Sequence, residues 1–129
     1  MDTQGGWVVV GLDNGGNKNN ATVLRPDRGC LVDGMVETPS RVTEGPEIAV
    51  QALIHAFDDI LKRTGVARDR VRAVGLDTPG PASANGVISS KGSTNFAHDG
   101  WAGFDFRAAL AARLSLPVIY NNDGNAAAL

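Results

Sequence analysis

The sequence predicts an α/β fold, a mixed five-strand sheet whose elements run β-β-β-α-β-α-β-α, with the last helix only begun at Leu129. Three observations predict it. The first third of the chain holds short apolar runs joined by tight turns, which pair antiparallel because parallel strands need a long crossover. A long helical stripe follows. Two later apolar runs are each preceded by a helical pattern, and such crossovers are right-handed and lay helices on the sheet.

Trp7-Val8-Val9-Val10-Gly11-Leu12 is an almost wholly apolar run of strand length, the pattern of a central strand. It ends at Asp13, and Asn14-Gly15-Gly16-Asn17-Lys18 makes a turn. Asn19 to Leu24 returns as a second strand, Arg25-Pro26-Asp27-Arg28-Gly29 turns again, and Leu31 to Thr38 is a third strand, with Asp33 and Gly34 leaving the position of its start open. The clearest helix opens with Gly45 at the N-cap, Pro46 at the first helical position and Glu47 in the first turn. Ala49, Ala52, Leu53, Ala56, Phe57, Ile60 and Leu61 form its apolar stripe, and Gly65 follows Lys62 and Arg63 at its end. His55, Asp58 and Asp59 fall off that stripe and read as solvated surface.

Val71 to Asp77 is again a strand, stopped by Thr78-Pro79-Gly80-Pro81, whose prolines cannot donate ladder hydrogen bonds. Ala82 to Gly100 is rich in Ser, Asn and Gly, with one short extended piece at Val87-Ile88-Ser89; loops this long inside a compact domain are usually functional or mobile. Asp105 caps a second helix from Phe106 to Leu114, and Pro117 opens the last strand through Tyr120. An alanine-rich run after Asn125 starts a third helix. No internal repeat, low-complexity tract or linker divides the chain, so one domain is expected over residues 1–129.

Net charge is −2, from 12 basic and 14 acidic residues without a basic block, which gives no support for a nucleic-acid or acidic-membrane partner. Cys30 is the only cysteine, so neither an intrachain disulfide nor a cysteine-based zinc cluster can form within these residues. No apolar run approaches the roughly 18 residues of a membrane span. The start, Met1-Asp2-Thr3-Gln4-Gly5-Gly6, lacks the basic and apolar regions of a signal peptide. A soluble cytoplasmic protein is expected.

Unusual chemistry gathers in three loops at strand ends: Asp13 to Lys18, Thr78 to Pro81 and Asn122 to Asn125. Open α/β sheets place ligands at the carboxyl ends of their strands. In the first loop Gly15 and Gly16 let the backbone approach a ligand, and its amides, with Asn17 and Lys18, suit phosphate oxygens. The same Asn-Gly-Gly is also a common hairpin turn. In the last loop Asp123 stands at a strand-to-helix junction, where Asn122 and Asn125 could hydrogen-bond a polyhydroxylated ligand. A purely structural reading makes Asp123 a helix N-cap, for which Asp and Asn are both favoured. His98 reads as a solvent-exposed loop histidine, and no metal ligand set is assigned to it.

Taken together the three loops resemble the N-terminal lobe of the ROK family (repressors, uncharacterised reading frames and sugar kinases), within the actin-like ATPase and sugar-kinase superfamily. Asp13-Asn14-Gly15-Gly16-Asn17-Lys18 resembles the family's Asp-x-Gly-Gly-Thr-Lys phosphate motif, and Gly75 to Pro81 its Gly-x-x-x-Pro-Gly-Pro segment. Asn95 with Trp101 is similar to the sugar-site Asn…Trp stretch, and Asn122 to Ala128 to the Asn-Asp-Ala-Asn-Ala-Ala-Ala block. The resemblance covers nearly the whole chain, in order. It implies a ribonuclease H-like fold and a glucokinase-like, ATP-dependent enzyme phosphorylating a hexose between two lobes, of which this chain would be the first. Asp123 would be the catalytic base, with Gly80, Asn95 and Asn122 on the sugar's other hydroxyls. Asp13 would help place Mg2+, and Gly15, Gly16, Asn17 and Lys18 would approach the ATP phosphates. The family's zinc cluster and adenosine site would lie in the second lobe, and a homodimer is compatible with it.

Two residues depart from the family pattern. Asn17 replaces the phosphate-loop Thr, a bulkier amide that still donates a hydrogen bond, and Gly124 replaces an Ala. Two other functions stay open. A non-catalytic sugar-binding or regulatory module would keep the sugar loops without turnover. A transcriptional repressor would need a helix-turn-helix ahead of the first strand, and only six residues precede Trp7.

Overall fold

The computed structural model describes residues 6–15, 17–25, 30–31, 35–78 and 104–122. Its elements are β1 (Val8–Asn14), β2 (Lys18–Arg25), β3 (Cys30–Leu31), β4 (Val36–Pro39), α1 (Pro46–Thr64), β5 (Val71–Thr78), α2 (Phe106–Leu114) and β6 (Val118–Asn122). They form one mixed sheet in the order β3-β2-β1-β5-β6, with β4 also paired to β2. The hairpin pairs β1–β2, β2–β3 and β2–β4 are antiparallel, while β1–β5 and β5–β6 are parallel. The expected third strand is therefore two pieces sharing one flank of β2. β3 pairs with Leu24 and Arg25, and β4 with Lys18 to Ala21, so the sheet keeps five strand positions.

Alternation along the strands turns one face to the helices. Val10 lies between Val23 and Val74, and Val74 beside Val118. One step further along, Leu12 lies between Ala21 and Leu76, and Leu76 beside Tyr120. All of these are buried and join α1 and α2 in a single core. The opposite face carries Val9, Gly11 and Asp13 on β1 and Ile119 on β6, the last 60% exposed.

α1 begins as expected, with Gly45 at φ 105° before Pro46, and ends at Gly65, whose φ of 73° is a left-handed conformation that glycine adopts without a Cβ clash. The Gly65 amide closes the helix on the Leu61 carbonyl at 2.9 Å. Its buried stripe gains Val50 and Thr64 over the expected set, while Ala52 is only half-buried. Thr64 can be buried because its hydroxyl donates to the Ile60 carbonyl at 2.7 Å. His55 and Asp58 are exposed, and His55 pairs with Asp59 at 3.2 Å on the solvent side, as the pattern predicted. On α2 the Asp105 carboxylate accepts the Ala108 amide at 2.9 Å, the expected N-cap. The Arg68 guanidinium lies 5.3 Å over the Phe57 ring and donates to the Leu114 carbonyl, which ties the approach to β5 onto α2. The third helix expected after Asn125, and the extended piece at 87–89, lie outside the described residues.

Candidate functional site

The parallel pairing brings the carboxyl ends of β1, β5 and β6 to one edge. Asp13 is the register partner of Asp77, and Asp77 of Asn121. On the antiparallel side Asn20 faces Asp13 and Glu37 faces Asn20. One row of the sheet thus reads Glu37, Asn20, Asp13, Asp77, Asn121. By strand alternation Glu37, Asn20, Asp13 and Asp77 belong to the face turned away from α1 and α2. Asp13 is exposed and Asp77 half-buried. Directly below this row stand Thr22, Gly11, Gly75 and Ile119, so the polar character begins abruptly at the strand ends.

Asp77 was not singled out by sequence reasoning, although a signal existed. Val10-Gly11-Leu12-Asp13 recurs as Val74-Gly75-Leu76-Asp77, and the two copies pair residue for residue. At four residues the recurrence is too short to count as a repeat unit. It becomes meaningful only when the strands are known to be parallel neighbours.

The turn between β1 and β2 is closed by the Gly15 amide, which donates to the Lys18 carbonyl at 2.8 Å. That donor is therefore engaged within the turn rather than offered to a ligand. What Gly15 contributes is clearance: a Cβ there would stand 2.8 Å from the same carbonyl oxygen. The Asn17 carbonyl accepts the Ser40 amide at 3.0 Å, anchoring the turn to the strand beyond β2. Asn17 and Lys18 are exposed, and the Lys18 ammonium meets Glu37 at 2.9 Å. Glu37 was not foreseen, since only the β2–β4 pairing brings it near.

Beneath the turn, on the helix-facing side, the last layer of the sheet is polar as well. Asn14, Asn19, Ser40 and Thr78 are fully buried and Thr38 nearly so. The Thr78 hydroxyl bonds that of Tyr120, and Asn14 Nδ2 donates to Asn19 Oδ1 at 2.7 Å.

Of the sequence-predicted residues, Asp13, Gly15, Asn17 and Lys18 come together at this edge. Asn122, the register partner of Thr78, closes β6 beside it. Gly16, Gly80, Asn95, His98, Trp101 and Asp123 lie outside the described residues. Among the described residues there is no group of three His, Cys, Asp or Glu side chains suited to a metal. A magnesium ion shared with nucleotide phosphates asks for less, one or two carboxylates with water completing the shell. The exposed Asp13 beside Asp77 fits that requirement in donor type.

The comparisons agree with the architecture. The sequence matches the ROK family over residues 9–129. No curated protein matches it significantly. The ROK hexokinase of Thermus thermophilus superimposes with a TM-score of 0.76 at 37% identity, over 94% of this chain and 37% of that one. The inorganic polyphosphate/ATP-glucomannokinase of Arthrobacter sp. strain KM gives 0.74 at 25%, over 94% of this chain and 46% of that one. A ROK family transcriptional regulator, homologous to the E. coli MLC protein, shares the fold with a TM-score of 0.71 at 15% identity, over 95% of this chain and 29% of that one. The chain therefore spans less than half the length of each of these proteins. Strand order, the polar edge and the match over residues 9–129 converge: the chain belongs to the ROK family and has the fold of its sugar kinases, that of the actin-like ATPases.

Proposed function

We propose that this chain is the first lobe of an ATP-dependent sugar kinase that phosphorylates a hexose, completed by a second lobe. The observation that carries the reading is the alignment of Asp13, Asp77 and Asn121 at one sheet edge, with the β1–β2 turn above it. Asp123 follows one residue beyond β6. Phosphoryl transfer demands mainly positioning and charge stabilisation, with a carboxylate to receive the hydroxyl proton. In this reading Asp123 accepts the proton of the attacking sugar hydroxyl, and Gly80, Asn95 and Asn122 hold the other hydroxyls. Asp13, with Asp77 at its side, holds Mg2+ through oxygen. The bound ion neutralises charge on the nucleotide phosphates. Asn17 and Lys18 face those phosphates, and Lys18 exchanges its exposed Glu37 partner for phosphate oxygen at little cost, since exposed pairs contribute about 0–1 kcal/mol.

The likeness to the Thermus and Arthrobacter kinases supports this reading. The regulator of the same fold keeps a second one in view, a sugar-responsive module without turnover. Coupled detection of ADP release, with a panel of hexoses, separates them in a two-lobed protein carrying this chain. Sugar-dependent ADP release is expected there and not from the 129-residue chain alone, because a second wall and its closure are needed to exclude water. Sugar binding without ADP release would leave the regulatory module as the better account.

Gly15 supplies a sharper check. Gly15→Val sets a branched side chain against the Lys18 carbonyl and forces the turn to move. ATP affinity should fall by roughly tenfold or more, and hexose affinity should stay within about twofold. Unchanged ATP affinity would reduce the turn to a strand connection.

A further inference from the structure

We propose that the buried Asn14–Asn19 carboxamide pair is a register lock that holds the β1–β2 turn in its phosphate-facing position and keeps Lys18 away from Asp13. The functional half of this inference rests on the kinase reading above; the structural half does not.

The two side chains are fully buried register partners, joined by the 2.7 Å bond from Asn14 Nδ2 to Asn19 Oδ1. Their remaining amide atoms, Asn14 Oδ1 and Asn19 Nδ2, have no hydrogen-bond partner. Neither do the buried hydroxyls of Thr38, the register partner of Asn19, and of Ser40. Leu12, Ala21 and Leu76 fill the layer immediately below with apolar side chains. Stability alone would favour apolar residues at 14 and 19 too, since buried polar groups left unbonded are costly. Their presence asks for another reason.

That reason is an ambiguity in the turn. Asn14-Gly15 and Gly16-Asn17 are both acceptable two-residue hairpin loops, and Asn14 to Asn17 can also turn as one four-residue loop closed by Asp13 and Lys18. The observed pairing, with Gly15 bonded to Lys18, corresponds to the Gly16-Asn17 loop. Moving to either alternative shifts β2 by an even number of residues. Such a slip leaves every side chain on its own face, so the apolar alternation of β1 and β2 does not oppose it. In the four-residue-loop register Asn19 would lie opposite Leu12, and in the Asn14-Gly15 register opposite Val10. Either slip strips the buried amide of its polar cross-strand partner. Only the observed register lets the two buried carboxamides share a hydrogen bond.

The first slip also changes the site. It would bring Lys18 opposite Asp13, where Asn20 now stands, and so set an ammonium against the carboxylate proposed to hold Mg2+. The observed register instead leaves Lys18 to the exposed Glu37. Asn14 and Asn19 are thus positioning residues, acting through the turn and through Lys18.

The test uses a variant expected to fold, Asn14→Leu combined with Asn19→Val, in which both polar partners leave together. In the 129-residue chain, NMR contacts between the Leu12 and Ala21 α-protons report the observed register, and contacts between Leu12 and residue 19 the slipped one. The double variant should show both sets and lose at least roughly tenfold of the Gly15 amide's protection from exchange, since that amide is unbonded in the slipped register. In the two-lobed protein its KM for ATP should rise roughly tenfold while the hexose KM stays within about threefold. A double variant with only the Leu12–Ala21 contacts and full Gly15 protection would overturn the lock. Register loss without any change in ATP KM would overturn its positioning role. An unsubstituted protein inert to ATP would sink the kinase reading alone, and the NMR contacts would still decide the lock.

Discussion

Phe57→Ala is expected to destabilise the lobe by about 3–5 kcal/mol, the range for removing a fully buried aromatic ring. Phe57 is completely buried in the centre of α1 and is among the largest buried side chains of the core. Its loss removes packing from the core it shares with Val10, Val23 and Val74 and leaves a cavity there, since those strands are held in register by their pairing. It also removes the ring beneath the Arg68 guanidinium, and with it part of what aligns Arg68 on the Leu114 carbonyl. A domain of this size has about 5–15 kcal/mol of total stability, so a large share disappears. The melting temperature should fall by roughly 10–20 °C, and α2 should fray with it. Ile119→Thr is the contrast: at 60% exposure it should change stability by no more than about 0.5 kcal/mol. A Phe57→Ala chain that melts within a few degrees of the parent would show that the α1–sheet core is not the main source of stability.

The parts of this fold that were legible in the sequence are those written in local chemistry. α1 could be delimited at both ends because Gly45-Pro46 and Gly65 are stop signals with a steric cause, and α2 because Asp105 caps it. The strands followed from apolar runs, but their partners did not. Leu31 to Thr38 reads as one strand with an open start, yet β3 and β4 pair with opposite ends of β2, a division that depends on a neighbouring strand. The candidate site divides in the same way. Asp13 and the glycine turn announce themselves by composition. Asp77 does not, because its relevance comes from lying beside Asp13 across a parallel pair. Asn14 and Asn19 were hidden for a further reason. Asn14 reads as part of the turn and Asn19 as the polar start of a strand, and only the pairing of β1 with β2 shows the two fully buried against each other. Lys18 likewise acquires Glu37 as a neighbour only through the β2–β4 pairing.

Asp123→Asn, in a two-lobed protein with measurable kinase activity, should lower turnover by roughly 10² to 10⁴, the usual scale for losing a general base. The argument starts from β6, which ends at Asn122 with Thr78 as its register partner, on the edge that carries Asp13 and Asp77. Residue 123 is the next along the chain, so it issues from a strand end fixed by pairing. Asn has nearly the same shape as Asp and still hydrogen-bonds a sugar hydroxyl, but it cannot take the proton. Ground-state binding requires no proton transfer, so hexose affinity should change far less than turnover. A substitution that merely disturbed folding would instead lower stability and affinity together. The two readings of Asp123 diverge on this variant. As a helix cap, Asn serves as well as Asp, and both stability and rate should survive. As a base, the residue is irreplaceable by its amide, and the rate collapses while the melting temperature and hexose binding hold. Parent-level turnover in Asp123→Asn, with sugar bound normally, would return the residue to the role of an N-cap.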